Sequence, residues 1–291
     1  MSQELNFTKM HGIGNDYVYI DTFEQDEPVV GWAELARRVS DRRFGVGGDG
    51  LILIEKPHSE GAHGRMRMFN SDGSESEMCG NGLRCVSKYL FDRRCKDAEE
   101  LLIDTGAGLL SARIKEFDGK GKASQVELNM GQPILEAAAI PSTGTGMGKI
   151  EKMQVGDCEL EYMAVSMGNP HCVIFVDDPQ TFPVETIGPQ IESNTELFPR
   201  RVNVEFVQVV SATEAVQRTW ERGSGETLAC GTGASAVAVA GKLWGKFSDE
   251  VLIHLSGGDL KLNWQGPGHE VIMQGGATHV CDGLLDEAFC V

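Results

Sequence analysis

Hydrophobic residues fall in short runs broken by glycine and asparagine, and the runs predict strands more often than helices. Tyr17 to Ile20 and Leu51 to Glu55 are apolar runs of strand length. Each follows a glycine-rich stretch expected to be a loop, Met10-His11-Gly12-Ile13-Gly14-Asn15-Asp16 in one case and Gly45-Val46-Gly47-Gly48-Asp49-Gly50 in the other. Arg65 to Asn70 alternates arginine with apolar residues, as a half-buried strand does, and runs into the turn Asn70-Ser71-Asp72-Gly73-Ser74. Leu101 to Asp104, Leu109 to Glu116 and Gln125 to Met130 continue the series of strands, whereas Trp32 to Val39 has helical spacing. Two more helices are predicted, over Leu83 to Phe91 and Ala234 to Leu243. The first places Leu83, Val86 and Leu90 on one face, with Arg84, Lys88 and Arg93 elsewhere; the second is small and apolar all round, which predicts burial.

The second half of the chain retraces the first. Gly168-Asn169-Pro170-His171, followed by Cys172 to Val176 and Asp177, repeats the order of Gly14-Asn15-Asp16-Tyr17, Val18 to Ile20 and Asp21 at an offset of 154. Thr105-Gly106-Ala107-Gly108-Leu109 is echoed 151 residues later in Ser256-Gly257-Gly258-Asp259-Leu260. Matched landmarks in one order predict a duplicated domain. The expected division is 1–125 and 126–276, with the boundary in or soon after Asp118 to Lys122 and with 277–291 packing back on the first domain.

The chemistry is concentrated in a third landmark. Glu75-Ser76-Glu77-Met78-Cys79-Gly80-Asn81-Gly82 and Glu226-Thr227-Leu228-Ala229-Cys230-Gly231-Thr232-Gly233 share the skeleton Glu-x-x-x-Cys-Gly-x-Gly, and each runs into a predicted helix. The first N–H groups of a helix lack internal partners and attract anions, a field that also favours a thiolate and lowers a cysteine pKa toward neutrality. Glycines beside each cysteine leave the backbone open to a small anion. Two copies predict a site built from two half-sites.

Net charge and cysteine usage narrow the classes. A formal charge of −17 argues against nucleic-acid and anionic-membrane binding, which need clustered Lys and Arg. The start of the chain shows no basic-then-apolar signal pattern, and with eight cysteines in a chain this size, free thiols in the cytoplasm are expected rather than a disulfide framework. No Cys-x-x-Cys occurs, which argues against zinc, so no metal is expected. The glycine stretches lack the strand, Gly-x-Gly-x-x-Gly, helix order of a dinucleotide site and carry no Walker lysine.

Paired thiols admit a redox centre, a metal pair, a nucleophile with a spare, or two bases on opposite faces of a substrate. Duplicated cysteines ahead of two helices fit a nearly symmetric reaction best, and inversion at an amino-acid Cα is one: a thiolate removes the proton, the opposite thiol returns one, and no cofactor is required. A non-catalytic amino-acid-binding protein is the alternative from another class, and retention of both thiols argues against it.

With these residues in view, the chain resembles the diaminopimelate epimerase family over essentially its whole length. The resemblance is carried by Lys9 to Asp16, Phe69 to Ser74, Met78 to Cys85, Gly168-Asn169-Pro170-His171, Glu221-Arg222-Gly223 and Ala229 to Gly233. It implies a mixed α/β fold of two pseudo-symmetric duplicated domains, each a curved mixed sheet around a central helix, that close over the substrate and commonly form homodimers. It implies cofactor-independent interconversion of LL- and meso-2,6-diaminopimelate, with Cys79 and Cys230 as acid/base residues. Gly80, Asn81, Gly231 and Thr232 would hold the reacting carboxylate. Asn15, Asn70, Asn169, Asn203, Glu221 and Arg222 would bind the distal amino acid group and the reacting amine, and His171 and Glu221 would tune protonation. The other six cysteines are read as structural. Gly50 departs from family members that carry glutamine there. A related racemase acting on proline, hydroxyproline or histidine is the other reading within this fold.

Overall fold

The computed structural model describes residues 4–144 and 146–291. The chain divides into two compact units, Met1–Leu128 with Gly275–Val291, and Asn129–Gln274. In chain order the first contains β1 (Leu5–Gly12), β2 (Asn15–Asp21), α1 (Trp32–Ser40), β3 (Gly50–Glu55), β4 (Gly64–Asn70), β5 (Glu75–Ser76), α2 (Gly80–Arg93), β6 (Leu101–Thr105), β7 (Gly108–Phe117) and β8 (Ala123–Asn129). The second contains β9 (Ile150–Val155), β10 (Cys158–Ser166), β11 (Pro170–Phe175), α3 (Val184–Glu192), β12 (Asn203–Ser211), β13 (Glu214–Glu221), β14 (Gly225–Thr227), α4 (Gly231–Leu243), β15 (Glu250–Leu255) and β16 (Gly258–Asn263). The chain leaves that unit through β17 (Ile272–Gly276) and returns to the first as β18 (Thr278–Leu285). Among the described residues no helix is long and apolar enough to cross a membrane.

Strand pairing repeats between the units. β1 lies antiparallel to β2, β2 parallel to β3, β3 antiparallel to β4, and β4 pairs both antiparallel with β5 and parallel with β6, which is antiparallel to β7. The second unit gives the same relations for β10, β11, β12, β13, β14, β15 and β16 in turn. β9 flanks β10 antiparallel; in the first unit the strand flanking β1 is β18, the last of the chain, with Leu5 opposite Leu285. Asp118 to Lys122, expected near a domain boundary, is the turn from β7 to β8.

Strands buried on both faces explain the continuous apolar runs. Val18, Ile20, Leu51 and Leu53 pack with Trp32, Leu35 and Val39 of α1. Alternation sends their neighbours to the other face, where Tyr19 meets Cys85 and Ile52 meets the first turn of α2. In the second unit Cys172, Ile174, Val204 and Phe206 pack with Val184, Ile187 and Ile191 of α3.

Three expectations change. Met10 to Gly12 belongs to β1, and only Ile13-Gly14 forms the connection to β2, both with positive φ (47° and 87°) as a type I′ hairpin turn requires. The two central helices begin at Gly80 and Gly231, three residues earlier than their apolar spacing suggests, because the first-turn glycines carry no hydrophobic signal. Arg84 and Lys88 are also buried, so α2 has no solvent-facing stripe over Gly80 to Leu90. The expected burial of the helix after Cys230 is what α4 shows.

Candidate active site

Each motif cysteine is the N-cap of its central helix, in extended backbone, with φ −139° at Cys79 and −121° at Cys230. Its sulfur accepts a hydrogen bond from the N–H two residues into the helix proper, Gly82 to Cys79 Sγ and Gly233 to Cys230 Sγ, both at 3.4 Å. An extended N-cap residue whose side chain accepts from the first turn is ordinary capping geometry, here performed by sulfur. The second glycine of each Gly-x-Gly gives room: a Cβ on Gly82 would meet Ile52 Cδ1 at 2.6 Å, and one on Gly233 would meet Glu205 Oε1 at 2.6 Å and Cys230 Sγ at 3.2 Å.

In the first unit β1 and β2 deliver Asn15 to the half-buried Cys79. Cys79 Sγ donates to Asn15 Oδ1 at 3.4 Å, and Asn81 Nδ2 donates to the same oxygen at 3.3 Å. The orientation of the Asn15 amide is set from behind, since its Nδ2 donates to Asp49 Oδ2 at 2.7 Å. Asp49 is held in turn by the Asp16 N–H at 3.0 Å and by Arg42 at 2.9 Å. Asn81 is pinned by Arg84, whose Nη2 donates to Asn81 Oδ1 at 2.8 Å while Nε donates to the Gly276 carbonyl at 3.1 Å. Gly12 lets β1 approach this turn, for a Cβ there would fall 2.8 Å from the Asn81 carbonyl. Asn70 ends β4, where its Nδ2 donates to Ser74 Oγ at 3.0 Å.

In the second unit the cap cysteine is buried, 5% exposed. Thr232 Oγ1 lies 3.5 Å from Cys230 Sγ and accepts from Asn169 Nδ2 at 3.2 Å. Asn169 Oδ1 faces His171 Nε2 at 2.9 Å, and His171 Nδ1 lies 2.8 Å from Glu205 Oε1. His171 and Glu205 are both fully buried. Asn203, beside His171 in the parallel pair, donates to the Pro170 carbonyl at 3.2 Å and accepts from the Arg222 N–H at 2.9 Å. Among the described residues Glu221 and Arg222 form no ion pair with each other: Glu221 Oε1 accepts from Thr227 Oγ1 at 2.5 Å, and Arg222 Nη1 donates to the Arg200 carbonyl at 2.9 Å.

The helix terminus was expected to draw a cap thiol toward neutrality, and at Cys230 it is outweighed. Burial pushes this thiol well above its ordinary value, and the carboxylate of Glu221 pushes the same way, against the Thr232 hydroxyl and the Gly233 N–H. Burial also raises the Cys85 thiol to about 11 and the Cys172 thiol well above the usual range, which suits their reading as inert core thiols.

Sequence reasoning missed Asp49, Arg84 and Glu205, which buttress the half-sites. Arg84 lies inside the motif beside Cys85, but its apolar-face pattern placed it away from the core. Glu205 sits among strand residues with no local signal. At Gly50 a Cβ would fall 2.1 Å from the Phe69 carbonyl and 3.2 Å from Asn70 Cα, so this backbone leaves no room for a side chain. Gly50→Gln is expected to lower stability by about 1–3 kcal/mol in denaturant unfolding; an unchanged midpoint would show that β3 and β4 adjust freely.

The chain matches the family model described as diaminopimelate epimerase over residues 7–136 and 163–280. It is 47% identical over 283 residues to the diaminopimelate epimerase of Acetivibrio thermocellus, covering 97% of this chain and 99% of that one. To the diaminopimelate epimerase of Leptospira biflexa it is 49% identical over 285 residues, with coverage of 97% and 99%. A solved hydroxyproline epimerase from Agrobacterium vitis shares the fold at a TM-score of 0.72 and 15% identity, over 97% of this chain and 92% of that chain. A predicted epimerase from Pseudomonas aeruginosa does so at 0.69 and 16%, over 97% and 99%. On this identity and coverage, and with the paired cap cysteines in place, the chain belongs to the diaminopimelate epimerase family and is an isomerase.

Proposed function

We propose that the chain interconverts LL-2,6-diaminopimelate and meso-2,6-diaminopimelate, a step toward lysine, by cofactor-independent proton transfer at Cα, with Cys79 and Cys230 as the acid/base pair. The observation that carries this reading is the duplicated cap: the same residue type at the same helix position in each unit, with a glycine N–H on each sulfur at 3.4 Å. Inversion needs a base on one face of the reacting carbon and an acid on the other. One thiolate takes the Cα proton, the other thiol gives up its own, and the enzyme ends in the mirrored protonation state, ready for the reverse reaction.

The first-turn N–H groups at Gly80, Asn81, Gly231 and Thr232 suit the α-carboxylate, whose charge grows as the proton leaves. Asn15, Asn70, Asn169 and Asn203 offer neutral amides to a zwitterionic substrate, and Glu221 and Arg222 offer one charge of each sign. The substrate ammonium beside Glu221 would offset the carboxylate field that raises the Cys230 thiol. His171 acts on protonation through Asn169 and Thr232. A cytoplasmic homodimer accompanies this reading: the eight free cysteines suit a reducing compartment, and the resemblance suggests the dimer.

Proton NMR in D₂O with thiol-reduced protein tests the function. Loss of the Cα–H signal of LL-diaminopimelate with growth of the meso form is expected. Silence from folded, reduced protein would transfer the assignment to proline, hydroxyproline or histidine, tested as a panel. Arg222 speaks for a substrate with a second carboxylate, because a guanidinium fork matches that group. Arg222→Lys should raise KM about tenfold while kcat changes less, and an unchanged KM would remove Arg222 from substrate binding.

A further inference from the structure

The Cys230 half-site contains a continuous polar chain that ends on a buried carboxyl the proposed chemistry does not use. Its order is Glu205, His171, Asn169, Thr232, Cys230, with separations of 2.8, 2.9, 3.2 and 3.5 Å. The direction of donation along it follows from the Asn169 amide. Its oxygen faces His171 Nε2, so that nitrogen carries a hydrogen; its nitrogen donates to Thr232 Oγ1, so the Thr232 hydroxyl hydrogen is free to turn to the sulfur, a contact in which either atom can donate.

What keeps the imidazole hydrogen on Nε2 is the partner at Nδ1. A protonated Glu205 donates its O–H to Nδ1, and an ion pair between Glu205 and a doubly protonated His171 leaves Nε2–H equally in place. An ionised Glu205 beside a neutral imidazole would instead draw the hydrogen to Nδ1 and reverse the chain. Retention of that proton is favoured by the surroundings. Burial, with Glu221 acting the same way, pushes the Glu205 carboxyl up against the opposing effect of His171, and Glu205 Oε2 has no hydrogen-bond partner among the described residues. The groups that face the carboxyl or exchange electrostatic influence with it are His171 and Cys172 on β11, Glu221 on β13, Cys230 at the cap of α4 and Gly233 within that helix.

We propose that Glu205 is a positioning residue: paired with His171 Nδ1, it holds the imidazole hydrogen on Nε2, so that Asn169 and Thr232 present a hydrogen-bond donor to the Cys230 sulfur. Its effect on turnover rests on Cys230 being an acid/base residue, but the chain can be measured without turnover.

Nitrogen-15 NMR of histidine-labelled, reduced full-length protein should find His171 protonated on Nε2; a ring bearing its only hydrogen on Nδ1 overturns the proposal. The second measurement is the pH profile of Cys230 alkylation by iodoacetamide, read by peptide mapping in Glu205→Gln and Glu205→Leu. The glutamine amide can still donate to Nδ1, so Glu205→Gln should keep Cys230 reactivity within about twofold of the parent, whereas Glu205→Leu should lower reactivity and kcat about tenfold with KM nearly unchanged. Were Glu205 only a negative charge near the thiol, both variants would make Cys230 more reactive, and that result overturns the proposal. Equal behaviour of the two variants overturns it as well. If Glu205→Leu does not fold, the NMR result and Glu205→Gln decide. Diaminopimelate inactivity of the parent, with the alkylation split intact, would sink the epimerase reading and leave the positioning role standing.

Discussion

Cys79→Ala and Cys230→Ala should each lower epimerisation by at least about a thousandfold while leaving the protein folded, because general acid–base groups contribute about 10²–10⁴-fold and inversion uses one on each face. The structural cost is small by comparison. Each substitution removes one cap contact, the glycine N–H on sulfur, and losing an N-cap typically costs about 1 kcal/mol. A single thiol could still exchange a proton on its own face, so slow loss of Cα–H without inversion is the most that either variant should retain. The proton NMR assay in D₂O reads exchange and inversion separately, and a thermal melt controls for folding. Turnover near the parent's in either variant would end the two-base assignment.

Arg84→Met should lower stability by about 2–4 kcal/mol and turnover about tenfold, although Arg84 is no part of the acid/base pair. Its guanidinium is completely buried within α2 and feeds two acceptors, Asn81 Oδ1 and the Gly276 carbonyl. Methionine fills much of the volume but takes this donor away from both oxygens, and a buried acceptor that loses its donor costs about 1–3 kcal/mol. Relief of the desolvated charge, visible as the downward shift of the Arg84 pKa, offsets part of this. The effect on turnover would come through Asn81, which shares the Asn15 oxygen with Cys79. Arg84→Lys should not rescue it, since an ammonium cannot reproduce the planar fork. Denaturant unfolding together with kcat checks the prediction, and parental values for both would show that Asn81 is held by other contacts.

Local patterning was enough for much of this molecule. The runs Tyr17 to Ile20 and Leu51 to Glu55 are strands in the structure, and the helix at Trp32 begins where its spacing starts. The recurrence of Glu-x-x-x-Cys-Gly-x-Gly predicted a helix start after each cysteine, and both cysteines are caps. These features are readable because periodicity, glycine placement and capping act within a few residues along the chain.

Other features depend on what comes from elsewhere in the sequence. The end of β1, Met10 to Gly12, lies hidden in a glycine-rich stretch because its strand character is supplied by pairing with β2 and with β18, from the far end of the chain. The burial of Arg84 and Lys88 reflects sheet wrapped round α2, which no helical wheel contains. Glu205 reads locally as one polar position in a strand, and only the parallel pairing of β11 with β12 brings it to His171. The rise of the Cys230 thiol is likewise a tertiary effect: the sequence placed the sulfur at a positive helix end, but its desolvation and the neighbouring Glu221 carboxylate exist only once the strands have been laid together.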